Sequence, residues 1–180
     1  EAKHLVGEYY VSNNIEKQES QNPLNITEEE AWVIGRYIAD GHTRKDLRHD
    51  GHHNGSRAWQ LILSVSNSKV EKFRSHIKEL HYSCYKHSDG VYRVVFSNRR
   101  LVEIAEGQCG IGAKNKQFGE MIIRLPNNLL DIVLKSYLEG DGCVCGEKFK
   151  VTTISPMLCM TLQRVVSKLY QKHICVTKHI

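Results

Sequence analysis

No apolar run in this chain approaches the roughly 20 residues a membrane-spanning helix needs. No basic-then-apolar leader opens it either, so no secretory signal is expected. The six cysteines, at 84, 109, 143, 145, 159 and 175, lack the spacing of a disulfide framework. Reduced thiols in a cytoplasmic protein are therefore expected. A zinc-finger pattern is also missing. Cys143 and Cys145 have no second pair, and His49, His52 and His53 lack a fourth partner. What remains is ordinary for a globular protein: 180 residues, 41% hydrophobic and 25% charged. A formal charge of +5, with ten histidines in reserve, fits a polyanionic partner. The first residue is Glu1 rather than Met, which fits an excised or partial segment.

Two stretches about a hundred residues apart repeat one pattern: Val33-Ile-Gly-Arg-Tyr-Ile-Ala-Asp40-Gly41 and Leu134-Lys-Ser-Tyr-Leu-Glu-Gly-Asp141-Gly142. Each is an apolar helical run ending in Asp-Gly and carrying a Tyr, Tyr37 or Tyr137. Small residues recur four apart in both, Gly35 with Ala39 and Ser136 with Gly140. Positions four apart share a helix face, and small side chains let a second backbone approach closely. The spacing therefore predicts two helices packed along these faces, with Asp40 and Asp141 side by side where they end.

The rest of the chain is arranged around those helices. Residues 1–24 hold a strand-like piece, Leu5 to Val11, and then a polar linker. Thr27 with Glu30 forms a capping box at the start of the first helix. Polar, basic residues fill 42–56, and Trp59 to Ser66 alternates as a strand. A helix over Val70 to Leu80 follows, then a hairpin pairing 82–87 with 91–97, then a helix from Arg99 to Glu106. The order is helix, strand pair, helix, strand pair, helix. A Gly/Lys-rich connection over 108–125 leads to a restart: helix 127–142, strand 147–154, helix 156–170, strand 173–179. The segments are an N-terminal piece over 1–24, a first half over 25–107, the linker, and a second half over 126–180. The second half stops before its last strand and helix, and the natural chain is expected to continue.

Two adjacent carboxylates repel unless a cation lies with them. Hard oxygen ligands beside phosphate suit Mg²⁺, which retains several waters. A basic chain with such a pair reads as a metal-dependent phosphodiester cutter.

These residues resemble the LAGLIDADG (dodecapeptide, or DOD-type) homing endonucleases, over about 25–180. Both motifs depart from the family word, with Arg36 and Ile38 in the first and Ser136 and Glu139 in the second. The resemblance implies an α+β fold of two pseudo-symmetric αββαββα units, the second truncated here. The motif helices pair the units into a β-saddle over duplex DNA, and both strands are cut across the minor groove. Asp40 and Asp141 match the family's catalytic, metal-binding acids, and the backbone carbonyls of Ala39 and Gly140 match its further metal ligands. A basic residue near each active site is also implied, and Arg99 in Ser97-Asn98-Arg99-Arg100 is the candidate. Many relatives lie inside inteins, and residues 1–24 fit a remnant of such a host. The chain shows no splicing Cys, Thr-x-x-His block or terminal His-Asn, so this segment is not expected to splice.

For DNA contact the candidates are Arg44, Lys45, Arg48, Arg57, Gln60, Lys86, Arg93, Arg99, Lys148 and Lys150. About half are expected to touch DNA and the rest to be solvated surface charges. The His49–His53 tip is read as a DNA-contacting loop, the Cys143/Cys145 pair as packing. The chain is thus expected to be a site-specific, Mg²⁺-dependent double-strand DNA endonuclease. It is read as intein- or intron-borne and monomeric with internal pseudo-twofold symmetry. No membrane association is expected, and the location is cytoplasmic at the nucleoid, or a nucleus or organelle if eukaryotic. The alternative is a non-cleaving nucleic-acid-binding protein, an RNA maturase or a regulator, on the same scaffold.

Overall fold

The computed structural model describes residues 21–47, 57–87, 90–145, 148–172 and 174–175. The expected Leu5–Val11 strand, Arg48, the His49–His53 tip and most of the expected strand 173–179 lie outside the described residues. The first helix, α1 (Glu28–Asp40), starts as its sequence dictates. The Glu30 amide donates to the Thr27 hydroxyl at 3.2 Å, and the Thr27 amide donates to the Glu30 carboxylate at 3.0 Å. Arg100 then pairs with Glu30 at 2.5 Å and donates to the carbonyls of Leu24 and Asn25.

After α1 come β1 (Gly41–Leu47), β2 (Arg57–Val65), a 3₁₀ turn at Asn67–Lys69 and α2 (Val70–His76). Next are β3 (Ser83–Lys86), β4 (Tyr92–Phe96) and α3 (Arg99–Cys109). A 3₁₀ turn at Ala113–Asn115 and the short α4 (Glu120–Ile123) lead to α5 (Asn127–Asp141). The described chain closes with β5 (Gly142–Cys145), β6 (Lys148–Val151) and α6 (Pro156–Tyr170). The fold is α+β. An antiparallel sheet in the order β1-β2-β4-β3 serves the first half, and β5 pairs with β6 in the second. The order αββαββα is followed, after the connection, by αββα. No helix among the described residues is long and apolar enough to cross a membrane.

One face of the large sheet is apolar. Leu61, Leu63, Val65, Val94 and Phe96 are buried there against the helices. Trp32, Phe73 and Tyr82 continue this core edge to face, with ring centroids of Trp32 and Phe73 5.3 Å apart, and Tyr82 meets Phe96 at a tilt. Each such side chain contributes about 1.5–3 kcal/mol when fully buried.

Several elements differ from the sequence expectation: in the second half β5 pairs with β6 where one strand was expected, and α4 lies within the expected linker. The polar segment after Gly41 is a strand, held by its full antiparallel register from Gly41↔Leu63 to Leu47↔Arg57. The helix expected over Val70 to Leu80 ends at His76. Its end has a local cause: the Glu29 carboxylate of α1 accepts the amides of Lys78, Glu79 and Leu80 at 2.8–3.1 Å. Those amides are thereby withdrawn from any continuing helix. Slight desolvation raises the Glu29 carboxyl, but the three amides and the nearby Lys78 together hold it below its ordinary value. A carboxylate lowered on folding stabilises the fold above its unfolded pKa, and that contribution is lost as pH falls through the folded one. Glu29→Ala should therefore lower the melting temperature at pH 7 and shrink the loss of stability between about pH 5 and 3. Thermal melts across that range check it, and an unaltered acid limb would remove this role.

Candidate active site at the paired helix ends

α1 and α5 pack directly on each other, and the contact depends on missing side-chain volume. A Cβ added at Gly35 would sit 2.2 Å from the Val133 carbonyl oxygen and 2.8 Å from the Ser136 Cβ. One added at Gly140 would sit 2.4 Å from the Ala39 Cβ. Gly35 thus faces Ser136, and Ala39 faces Gly140. The buried Ser136 hydroxyl donates to the Trp32 carbonyl at 2.5 Å, so it is satisfied inside the seam. The tyrosines do not correspond: Tyr37 precedes its Asp by three residues and Tyr137 by four. Tyr37 donates to the Gly110 carbonyl at 2.9 Å, whereas the buried Tyr137 hydroxyl has no hydrogen-bond partner.

The two acids end these helices close enough to act on each other. Desolvation first, and the Asp40 charge second, push the Asp141 carboxyl above its ordinary value. Arg36, Lys116 and Lys69 pull in the opposite direction. Asp40, one turn beyond Arg36, accepts from that guanidinium at 2.9 Å.

A buried lysine that the sequence reading did not single out, Lys116, meets the end of α1 beside the acids. It lies in the connection that was read as linker, yet it is buried between the halves. Its ammonium donates to the carbonyls of Tyr37 at 2.6 Å and Gly41 at 2.9 Å, and lies 3.2 Å from the centre of the Tyr37 ring. The Ser155 hydroxyl, at the start of α6, donates to the Lys116 carbonyl at 2.7 Å. Burial pulls the Lys116 ammonium down to about 8, against the opposing pull of Cys109, Asp141 and Asp40. The available signal was a lysine in a Gly-rich connection between two motif helices. Arg99, the sequence candidate, lies elsewhere: it pairs with Glu103 at 2.8 Å and sits 5.0 Å from the Trp59 ring centre.

Strand register sorts the remaining candidates. His42, Arg44, Gln60, Ser64 and Arg93 share the sheet face opposite the apolar one. Arg93 donates to Ser64, and Arg44 and His42 are exposed. Partial desolvation, then Arg93 and Lys116, hold the His42 imidazole below its ordinary value, which favours its neutral form at pH 7. Lys45 points to the helix side, where it pairs with Glu106 and sits 4.4 Å from the Trp59 ring centre. Lys86 pairs with Tyr92, and Arg57 with Leu47, in the same register parity as Lys45. In the second half Lys150 is exposed on β6, while Phe149 packs against the core. Lys148 opens β6 opposite Cys145.

Among the described residues no group of three or more His, Cys, Asp or Glu side chains gathers as a metal cage. A metal at this site would rest on Asp40, Asp141, backbone carbonyls and water. That donor set is hard oxygen throughout, and two like-charged carboxylates at adjoining helix ends, with Asp141 raised by desolvation and by Asp40, invite a divalent cation. The residues fit such an ion.

No protein-family model matches the chain, and no curated protein matches its sequence. Solved structures do match its fold. The homing endonuclease I-DmoI in complex with DNA and Mn superposes with a TM-score of 0.57 at 14% identity, over 79% of this chain and 78% of that one. Its mesophilic variants give 0.55 at 11% identity, over 82% and 78%. I-DmoI in complex with DNA and Ca gives 0.55 at 11% identity, over 78% and 71%. With the paired motif helices, the sheet order and these superpositions in agreement, the fold of this chain is that of the LAGLIDADG homing endonucleases.

Proposed function

We propose that this protein is a divalent-metal-dependent, site-specific endonuclease for double-stranded DNA. The observation that carries the reading is the pairing of Asp40 and Asp141 at the joined ends of α1 and α5, with a buried lysine against them. That the I-DmoI complexes hold DNA with Mn or Ca supports it. Asp40 and Asp141, with the carbonyls of Ala39 and Gly140, would hold the ion, and Mg²⁺ is the proposed one. When bound, it supplies Lewis-acid stabilisation of the phosphodiester oxygens.

The chain's own residues do the rest. The seam of Gly35, Ala39, Ser136 and Gly140 sets the spacing of the acids. Lys116 fixes the last turn of α1 through the Tyr37 and Gly41 carbonyls and keeps a cation beside both carboxylates. Arg44, Gln60 and Arg93 lie on one open sheet face, where alternate side chains can reach base edges and phosphates. Lys150 offers the same in the second half. One chain with two unlike halves implies an asymmetric or partly palindromic target.

The test is cleavage of a randomised duplex library with Mg²⁺, with Ca²⁺ and EDTA as controls. Discrete double-strand cuts only with Mg²⁺ are expected. Binding without cuts under every metal would sink the nuclease and leave a DNA-binding protein. Lys116→Met should lower kcat about tenfold or more while KM for duplex stays within about threefold. Equal losses in both parameters would reassign Lys116 to DNA binding.

A further inference from the structure

We infer that Arg36 is a built-in cation of the paired-acid site: it engages Asp40 and leaves Asp141 as the carboxylate that takes the first divalent ion. The inference rests on the metal-site reading above. Four observations carry it. The Arg36 guanidinium reaches the Asp40 carboxylate at 2.9 Å, while no ion pair among the described residues engages Asp141. Arg36 is also only 4% exposed, so water does little to screen its charge. Its second terminal nitrogen lies over Gly140, where an added Cβ would be 2.7 Å away. The glycine of one motif thus makes room for the arginine of the other.

The fourth observation is the register of the repeat. Counting back four residues from each acid gives Arg36 in α1 and Tyr137 in α5. Tyr137 carries no charge to offer Asp141, and its buried hydroxyl makes no hydrogen bond. The two halves therefore present unequal carboxylates. A divalent ion at Asp40 must share an oxygen with a guanidinium or displace it, and it carries the same sign as that guanidinium. Asp141 makes no direct ion pair among the described residues, and Arg36, Lys116 and Lys69 act on it only from farther away. Arg36 is a positioning residue here, acting on the ion through Asp40.

The test is Mn²⁺ titration of the full chain, read by the electron paramagnetic resonance signal of free Mn²⁺, without DNA. In the wild type, Asp141→Asn should weaken the tightest site about tenfold or more, and Asp40→Asn less than about threefold. Arg36→Met should strengthen binding about fivefold or more, the lower bound being one unit charge at about 4 Å in water. In that background Asp40→Asn should cost as much as Asp141→Asn, while Arg36→Lys should keep the wild-type order. Equal losses for the two Asn variants in the wild type, with Arg36→Met unchanged, would overturn the role of Arg36 and leave the metal site standing. Mn²⁺ binding indifferent to both Asn substitutions would overturn the metal site itself. Should Arg36→Met fail to melt cooperatively, the wild-type comparison of the two Asn variants decides alone.

Discussion

Asp141→Asn should abolish double-strand cleavage while leaving duplex affinity within about threefold of the wild type or tighter, because phosphate contacts dominate binding. Asn preserves shape but removes the negative charge that a divalent ion requires, and the paired site has few other ligands to compensate. Asp40→Asn should do the same, with an additional local effect, since the Arg36 guanidinium loses its carboxylate partner. The measurement is gel-resolved cleavage of a selected duplex beside a binding titration at fixed salt. Loss of four or more orders of magnitude in either rate, with binding kept, is about the scale seen when a charge-stabilising group is removed together with its metal. A variant that still cuts both strands at the wild-type rate would refute the paired-acid site.

The second large effect is structural. Gly35→Leu should cost about 3 kcal/mol, the upper part of the usual range for overpacking. The obstruction is backbone, since the Val133 carbonyl lies 2.2 Å from where a Cβ would stand, so no rotamer relieves it. For a chain of this length that corresponds to a fall in melting temperature of roughly 6–12 °C. Thermal melting by circular dichroism reads it. A shift below about 2 °C would mean that α1 and α5 are not held along this face in solution. The same substitution should also separate the acids and silence cleavage below the melting point.

Much of the fold was legible where local chemistry and tertiary need agree. Thr27 and Glu30 announced α1, because a capping box is satisfied within a few residues of the sequence. The alternation of Leu61, Leu63 and Val65 gave β2 and its buried face. β1 was invisible because its residues are polar on both faces, and only its pairing with β2 makes it a strand. The early end of α2 was invisible because its cause is Glu29, about fifty residues away. Arg99 was placed near the acids by sequence neighbourhood, but it pairs with Glu103, and the lysine bonded to the end of α1 is Lys116 from the connection. A buried lysine bonded to carbonyls leaves no local periodicity to read. The open-face assignment of Arg44, Gln60 and Arg93, against the helix-side Lys45, likewise needs a register that composition does not contain.

The seam between α1 and α5 lies within a single polypeptide, and this bears on dilution. An active centre split between two copies falls apart as concentration drops, and its specific activity falls with it. Here the connection over 108–125 keeps the second acid near the first at an effective concentration fixed by chain length, whatever the number of molecules in solution. The helix pair therefore needs no second copy to form, and a single molecule carries both carboxylates.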